Sequence, residues 1–401
     1  MPLRKERVLP VNKPDSSTFD CGCDGLEGVE LQLDDQITLA IDEADTSVKI
    51  SRRKAIAYLG GFLLLAACGA PEATPGAPEA GQAATAAPTP AQQLVKLDLA
   101  FCSQVLCILP FEVARQRGYF REEGLDVNLI YMRGGPPAIT ALLAKQLDFI
   151  GTPIDLVVRA TDEGKPLMMV TSTSRLPFFA LITAPGQAET VQAIADLKGK
   201  KVGIGAVGST DDLLLRYLLV QNGLKAEDVE AIPLGPNLFE QLMSGQVDAG
   251  MVQEPSLTLG TQRGSRVLVN FMDLKDSQEK LGGPYQFMGL NTRPDVLQDP
   301  AKVEQLKGLS RALIRGNQWI LENPGAEIVK FAPEELVSGS NREVFAAALD
   351  RHKADLYPAD GLLNAESVAR VIDVQRKAGL MAAGKEFPPE RVFTNQYVEG
   401  S

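Results

Sequence analysis

Leu143-Ala144-Lys145-Gln146-Leu147-Asp148 and Met243-Ser244-Gly245-Gln246-Val247-Asp248 match each other step for step. Each reads as a helix end turning into a short strand, Asp148-Phe149-Ile150-Gly151 in one case and Ala249-Gly250-Met251-Val252 in the other. Six residues make a short repeat, but both copies fall at the same stage of a larger pattern. Ahead of the first copy come a strand at Leu94–Ala100, a helix from Phe111 to Tyr119 stopping at Gly118, and a strand at Leu125–Ile130. The turn Gly134-Gly135-Pro136-Pro137 then opens a helix to about Gln146, and Leu167–Ser172 is a further strand. The pattern restarts with a strand at Lys201–Gly205, a helix from Asp211 to Gln221 closing at Asn222-Gly223, and a helix at Leu238–Ser244. Strands alternating with helices argue for parallel sheets.

The expected fold class is therefore α/β, with two parallel-rich sheets flanked by helices in two lobes. Phe178–Thr183 and Tyr285–Leu290 are expected to cross between lobes. That puts 94–180 and 286–401 in lobe 1 and 181–285 in lobe 2. Helices at Ala301–Glu322, ended by Asn323-Pro324, and at Ser367–Ala378 are expected to pack on the first lobe.

The head of the chain carries an address. Ala55–Ala67 (AIAYLGGFLLLAA) follows the basic Arg52-Arg53-Lys54 and stops at Cys68. A charged region, a short apolar run and small residues before a cut site make a secretory signal. The run is too short to span roughly 30 Å of hydrocarbon, which takes about 20 residues. Leu65-Ala66-Ala67-Cys68 resembles the lipobox of bacterial lipoproteins. Residues 51–67 are thus read as a lipoprotein signal peptide and Cys68 as the lipidated start of the mature chain, against an ordinary signal with a chance cysteine. Residues 68–93 hold no large apolar side chain and read as a Pro/Ala-rich linker. Residues 1–50 read as an N-terminal extension, either disordered or following from a start codon placed too early, with Val48 as the alternative start. Ser51-Arg52-Arg53 resembles a twin-arginine signal without its usual Phe and later Lys, which leaves the export route open.

Composition excludes several classes. With 51 acidic against 40 basic residues and a net charge of −11, the chain has no electrostatic reason to hold nucleic acid. His352 is the only histidine, which removes Ser-His-Asp, Cys-His and His-based zinc chemistry. The lone Cys21/Cys23 pair lacks partners for a metal site. Cys102 and Cys107 offer either a small disulfide or buried packing, and packing is the expectation. From this the chain is expected to bind and not to be an enzyme, with no cofactor and no metal.

The carrying segments Gly118–Ile130 (GYFREEGLDVNLI), Gln146–Pro153 (QLDFIGTP), Asp196–Ile204 (DLKGKKVGI), Gly208–Leu219 (GSTDDLLLRYLL) and Gly245–Pro255 (GQVDAGMVQEP) span most of the body. In that order they resemble the substrate-binding proteins of bacterial ABC importers, in the branch serving nitrate, sulfonates, taurine and thiamine-pyrimidine precursors (SsuA/THI5-like, NMT1). The resemblance implies the two-lobed periplasmic-binding-protein type II fold, with a ligand cleft between the lobes that closes around one ligand.

In open α/β sheets ligands sit beyond the carboxyl ends of strands, near helix N-termini. The loops there supply the candidate ligand-binding residues Ser103, Gln104, Gly134, Gly135, Thr152, Ser172, Ser209, Thr210, Asp211, Asn237, Gln253 and Glu254. Turn or capping chemistry alone is the alternative for each, and Ser209, Thr210 and Asp211 are common N-cap types. Gly203–Gly208 formally matches G-x-G-x-x-G, but Gly203 falls inside the strand instead of at its turn. Asp211-Asp212 at a helix start would oppose an anion, so a heteroaromatic solute competes with a sulfonate or nitrate. Expected partners are a small-molecule ligand, an ABC permease with its ATPase, and the membrane through a lipid at Cys68, with the protein monomeric and outside the cytoplasmic membrane. Alternatives are a pyrimidine-precursor biosynthetic enzyme of the same fold and a ligand-sensing lipoprotein partnering a receptor.

Overall fold

The computed structural model describes residues 93–102, 106–132, 134–337 and 341–398. The N-terminal extension with Cys21 and Cys23, the signal peptide, Cys68 and the linker up to residue 92 lie outside the described residues.

Lobe 1 begins with β1 (Val95–Phe101), followed by α1 (Leu109–Gln116) and the short α2 (Tyr119–Glu122). Gly118 separates these helices at φ 79°, a left-handed conformation that glycine adopts without a Cβ clash. Next come β2 (Leu125–Tyr131), α3 (Gly135–Leu143), β3 (Phe149–Pro153), α4 (Ile154–Asp162) and β4 (Met168–Ser172). The chain then crosses into lobe 2: β5 (Ala180–Thr183), β6 (Lys201–Ile204), α5 (Thr210–Gln221), β7 (Glu230–Pro233), α6 (Leu238–Met243), β8 (Ala249–Val252), α7 (Ser256–Gln262), β9 (Val267–Asn270) and α8 (Leu274–Leu281). It returns through β10 (Met288–Thr292) and ends in α9 (Pro300–Glu322), α10 (Gly325–Ile328), α11 (Glu334–Val337), α12 (Asn341–Leu356) and α13 (Ala365–Lys377).

The two sheets have one topology. Their strand orders are β2-β1-β3-β10-β4 and β7-β6-β8-β5-β9. In each, the fourth strand in order runs antiparallel to both neighbours, and it is the strand that a crossover delivers. The sheets are therefore mixed, parallel except for that strand, which local strand–helix alternation cannot reveal. Asp148 and Asp248, the ends of the echoed hexapeptides, each stand just before the central strand, β3 or β8. β3, β8 and β10 are buried throughout, as strands covered by helices on both faces must be.

The long α9 starts where Asp299 accepts hydrogen bonds from the amides of Ala301 (2.9 Å) and Lys302 (3.4 Å), with Pro300 in its first turn. It packs on α1, α2 and β2 over a separate core around Phe101, Phe111, Leu309 and Leu313. α13 departs from expectation. It lies against α4 of lobe 1 and α5 of lobe 2 alike, and so bridges the lobes instead of covering one. Between the lobes the crossovers pack through Phe178 on Phe287 (5.3 Å between centroids) and Tyr357 (5.9 Å), and Phe179 on Phe287 (6.2 Å). Cys102 and Cys107 are both buried in the core. Among the described residues, no helix is long and apolar enough to cross a membrane.

Candidate functional site

A cavity of about 1000 Å³ opens between the sheets. Lobe 1 contributes Tyr131 and Met132 at the end of β2, Gly134 and Gly135 at the start of α3, and Pro153 and Leu156 where β3 runs into α4. Lobe 2 contributes the β6–α5 loop (Gly205, Ala206, Ser209, Thr210, Asp211), the residues around α6 (Leu238, Phe239) and the end of β8 (Gln253, Glu254). Phe179 and Phe287 come from the two crossovers.

Of the candidates read from sequence, Gly134, Gly135, Ser209, Thr210, Asp211, Gln253 and Glu254 line this cavity. Ser103 and Gln104 lie outside the described residues. Thr152 and Ser172 do not reach the cavity. Both are fully buried in the first sheet, where the Thr152 hydroxyl accepts from Asn291 Nδ2 (3.0 Å) and the Ser172 hydroxyl from Gln286 Nε2 (2.9 Å). Alternation along a strand sends every second side chain away from its cleft end. Asn237 lies between two lining residues, Pro236 and Leu238, but is itself exposed to solvent.

The apolar lining was hidden in the sequence, because Tyr131, Leu156, Phe179, Phe239 and Phe287 resemble core residues in type and spacing. One signal was available. Phe178-Phe179 and Phe287 sit in the segments read as crossovers, and a crossover must border the cleft.

The polar side chains of the wall include two carboxylates, Asp211 and Glu254. Asp211 accepts from the Gly205 amide and the Ser209 hydroxyl, and Asp212 accepts from the Gly208 amide at 2.8 Å and from Arg216 Nε at 2.7 Å. Thr210 Oγ1 donates to Asp155 of lobe 1 at 2.9 and 3.1 Å. The Gly205 and Gly208 amides in the loop that leads to α5 are thus occupied by the protein's own carboxylates. The same contacts take the Gly205 and Gly208 amides out of any phosphate cradle in Gly203–Gly208. Burial pushes the Asp211 carboxyl up, against the hydrogen bonds from Ser209 and Gly205. Burial also raises Glu254, 1% exposed, which accepts from the Thr258 hydroxyl (2.8 Å) and amide (3.1 Å). Among the described residues lining the cavity there is no Lys, Arg or His. His352 lies on α12, buried and away from the lining.

Gly135 is a tight point. A Cβ there would stand 2.1 Å from Leu156 Cδ1, which is itself a wall residue. Gly135→Ala is expected to cost about 1–3 kcal/mol through forced repacking. Urea denaturation checks this, and a change below about 0.5 kcal/mol would refute the clash.

Comparison with known proteins bears on the same region. A 4-amino-5-hydroxymethyl-2-methylpyrimidine phosphate synthase of Aspergillus parasiticus is 25% identical over 298 residues, 72% of this chain and 83% of its own. A Haemophilus influenzae protein named for thiamine biosynthesis is 33% identical over 139 residues, 34% of this chain, and the match spans only 43% of that relative. A solved structure from Bordetella bronchiseptica superposes with a TM-score of 0.69 at 25% identity, covering 76% of this chain and 95% of that one. The alkanesulfonate-binding protein SsuA of Xanthomonas axonopodis, bound to MOPS, superposes with a TM-score of 0.56 at 22% identity, covering 75% and 98%; at that identity it shows the periplasmic-binding-protein fold alone.

The expectation that this chain is not an enzyme is overturned by the Aspergillus relative, an enzyme by name that aligns along most of both chains. The lack of a histidine in the cleft removes particular mechanisms and not catalysis as such. The model of the family described as NMT1/THI5 like matches residues 107–327, more than half of the chain, and the chain belongs to that family.

Proposed function

We propose that this chain is the solute-binding component of an ABC importer, and that its cavity takes a small, flat nitrogen heterocycle of the pyrimidine-precursor type. The chemistry of the cavity wall carries this reading. Aromatic and aliphatic groups from Tyr131, Leu156, Phe179 and Phe287 suit an apolar ring, and Asp211, Gln253 and Glu254 suit ring or exocyclic N–H donors. The described lining offers a nitrate or sulfonate no cationic side chain. The expected division at 94–180 with 286–401 against 181–285 belongs to this proposal, as do closure of the lobes, delivery to permease and ATPase, and an extracytoplasmic place of work. A lipid at Cys68 with the Pro/Ala linker would hold the receptor near its permease, raising local concentration without a new contact.

Titration calorimetry with nitrate, taurine, an aminopyrimidine and a flavin tests the ligand class. Heat is expected from the heterocycles and none from nitrate or zwitterionic taurine. Glu254→Gln is expected to weaken heterocycle binding about 10- to 100-fold, the worth of a hydrogen bond to a charged group. Binding of nitrate or taurine alone would refute the reading. Palmitate labelling lost in Cys68→Ser tests the anchor.

The Aspergillus relative supports a second reading, synthesis of the pyrimidine phosphate at this site. Mass spectrometry for that phosphate, after incubating the purified protein with a small-molecule cell extract, separates the two: net formation indicates synthesis, and unaltered retention of a heterocycle indicates transport.

A further inference from the structure

Side-chain hydrogen bonds cross the cleft where the β6–α5 loop meets α4. α4 follows β3 of lobe 1 and α5 follows β6 of lobe 2, and their first turns meet. Thr210, the first residue of α5, donates its hydroxyl to both oxygens of Asp155 at 2.9 and 3.1 Å. One turn along α4, Arg159 donates to the Gly208 carbonyl. Asp155 is 4% exposed and Thr210 2%, and Gln375 Nε2 of the bridging helix α13 donates to the Asp155 carbonyl at 2.8 Å. The loop held in this way supplies Gly205, Ala206, Ser209 and Asp211 to the cavity wall, while Leu156, next to Asp155, lines it from the other lobe. Parting the lobes must break these bonds.

We propose that Asp155 and Thr210 form a proton-sensitive latch that sets how readily the lobes part. When the lobes are closed, the carboxyl group is out of water, where charge is disfavoured; opening returns it to solvent. Protonated Asp155 is therefore at ease in the closed form, and ionised Asp155 favours opening. Burial is the main cause that pushes its pKa up to about 6; Thr210 and Arg159 work against the rise, and Asp211 adds to it. The charged and titratable groups on the surrounding elements are Arg159 on α4, Asp211, Asp212, Arg216 and Tyr217 on α5, Arg370, Asp373 and Lys377 on α13, and Tyr285 on the return crossover. Among the described residues none forms an ion pair with Asp155; Arg216 is paired with Asp212, and Lys377 with Asp373. Burial first, and then Asp155, raise the Tyr285 phenol well above its usual value, so it stays neutral. The latch holds more tightly near pH 5 than at pH 7.5.

This regulation rests on the reading of the cavity as a solute site, but its test needs no ligand. Hydrogen exchange is followed in the ligand-free full chain at pH 5 and 7.5, corrected for intrinsic rates, over 154–160 and 205–212. Wild type is expected to exchange about tenfold faster at pH 7.5 than at pH 5 in both segments. Asp155→Asn is expected to show no such ratio. Thr210→Val is expected to exchange about tenfold faster than wild type at pH 5, and Thr210→Ser, which keeps the hydroxyl, to match wild type. Equal exchange in Thr210→Val and wild type, or a pH ratio that survives in Asp155→Asn, would overturn the latch. If Thr210→Val unfolds, β1 and β3 also exchange fast, and the Asp155→Asn comparison decides alone. A failed latch leaves the calorimetric result standing, and a failed ligand screen leaves the exchange result standing.

Discussion

Arg293→Ala is expected to destabilise the protein by about 2–4 kcal/mol, through loss of a buried guanidinium that bonds two backbone carbonyls and two partly exposed carboxylates. Arg293 is 6% exposed and follows β10 directly. Its guanidinium donates to the carbonyls of Leu142 (2.7 Å) and Leu147 (2.5 Å), to Asp148 (2.9 Å) and to Asp295 (3.0 Å). It thereby ties the end of α3 and the turn into β3 to the strand that returns from lobe 2. Burial pushes the Asp148 carboxyl up, but hydrogen bonds from Lys302 and Arg293 outweigh it and hold the group below its usual range. Without Arg293, two carbonyls lose a donor and Asp148 keeps Lys302 alone, at 2.6 Å. Arg293→Met, which restores volume without donors, is expected to recover little. Lys302→Ala, at a half-buried pair, is expected to cost about 1 kcal/mol or less. Urea unfolding of the three variants checks the order, and a loss below 1 kcal/mol in Arg293→Ala would show that the network is not a structural tie.

Asp155→Asn is expected to stabilise the protein at pH 7.5 and to leave it nearly unchanged at pH 4. The folded pKa of Asp155 is raised from 3.8 to about 6. Between those values the folded state binds more protons than the unfolded, so the contribution of Asp155 falls as pH rises and is fully lost above about pH 6. The shift corresponds to up to about 3 kcal/mol, a ceiling that opening of the lobes lowers by solvating the carboxylate. The difference between wild type and Asp155→Asn isolates this group from His352, whose pKa burial lowers and whose effect on stability has the opposite sign. Denaturant titrations at pH 4, 5, 6 and 7.5 read the difference. A difference that does not grow with pH would show that the folded pKa of Asp155 is not raised above its unfolded value.

Much of the architecture was legible in residue order. The strand Ala249–Val252 has the bounds that the sequence suggested, and Phe149–Pro153 and Met168–Ser172 differ from the expected ranges by a residue or two. α4 and α12 were not read. α4 follows β3 without a break, so its start carries no turn signal. α12 has apolar and charged residues mixed around its circumference, since it touches lobe 1, lobe 2 and solvent. The antiparallel strand in each sheet was also out of reach, since strand direction depends on where a distant crossover returns.

By itself, the sequence determined the alternation that makes two α/β lobes, their echo at Asp148 and Asp248, and the family to which they belong. These follow from local periodicity and from ordered short motifs, which survive without a third dimension. The tertiary structure alone decided that Thr152 and Ser172 turn into the sheet, that aromatic residues of the crossovers face the cavity, and that α13 bridges the lobes. It also decided that the Gly205 and Gly208 amides ahead of α5 are spent on Asp211 and Asp212, and that the Thr210 hydroxyl meets Asp155 of the other lobe. Such facts depend on which groups meet across the cleft, and a buried charge has its energy set by neighbours more than fifty residues away.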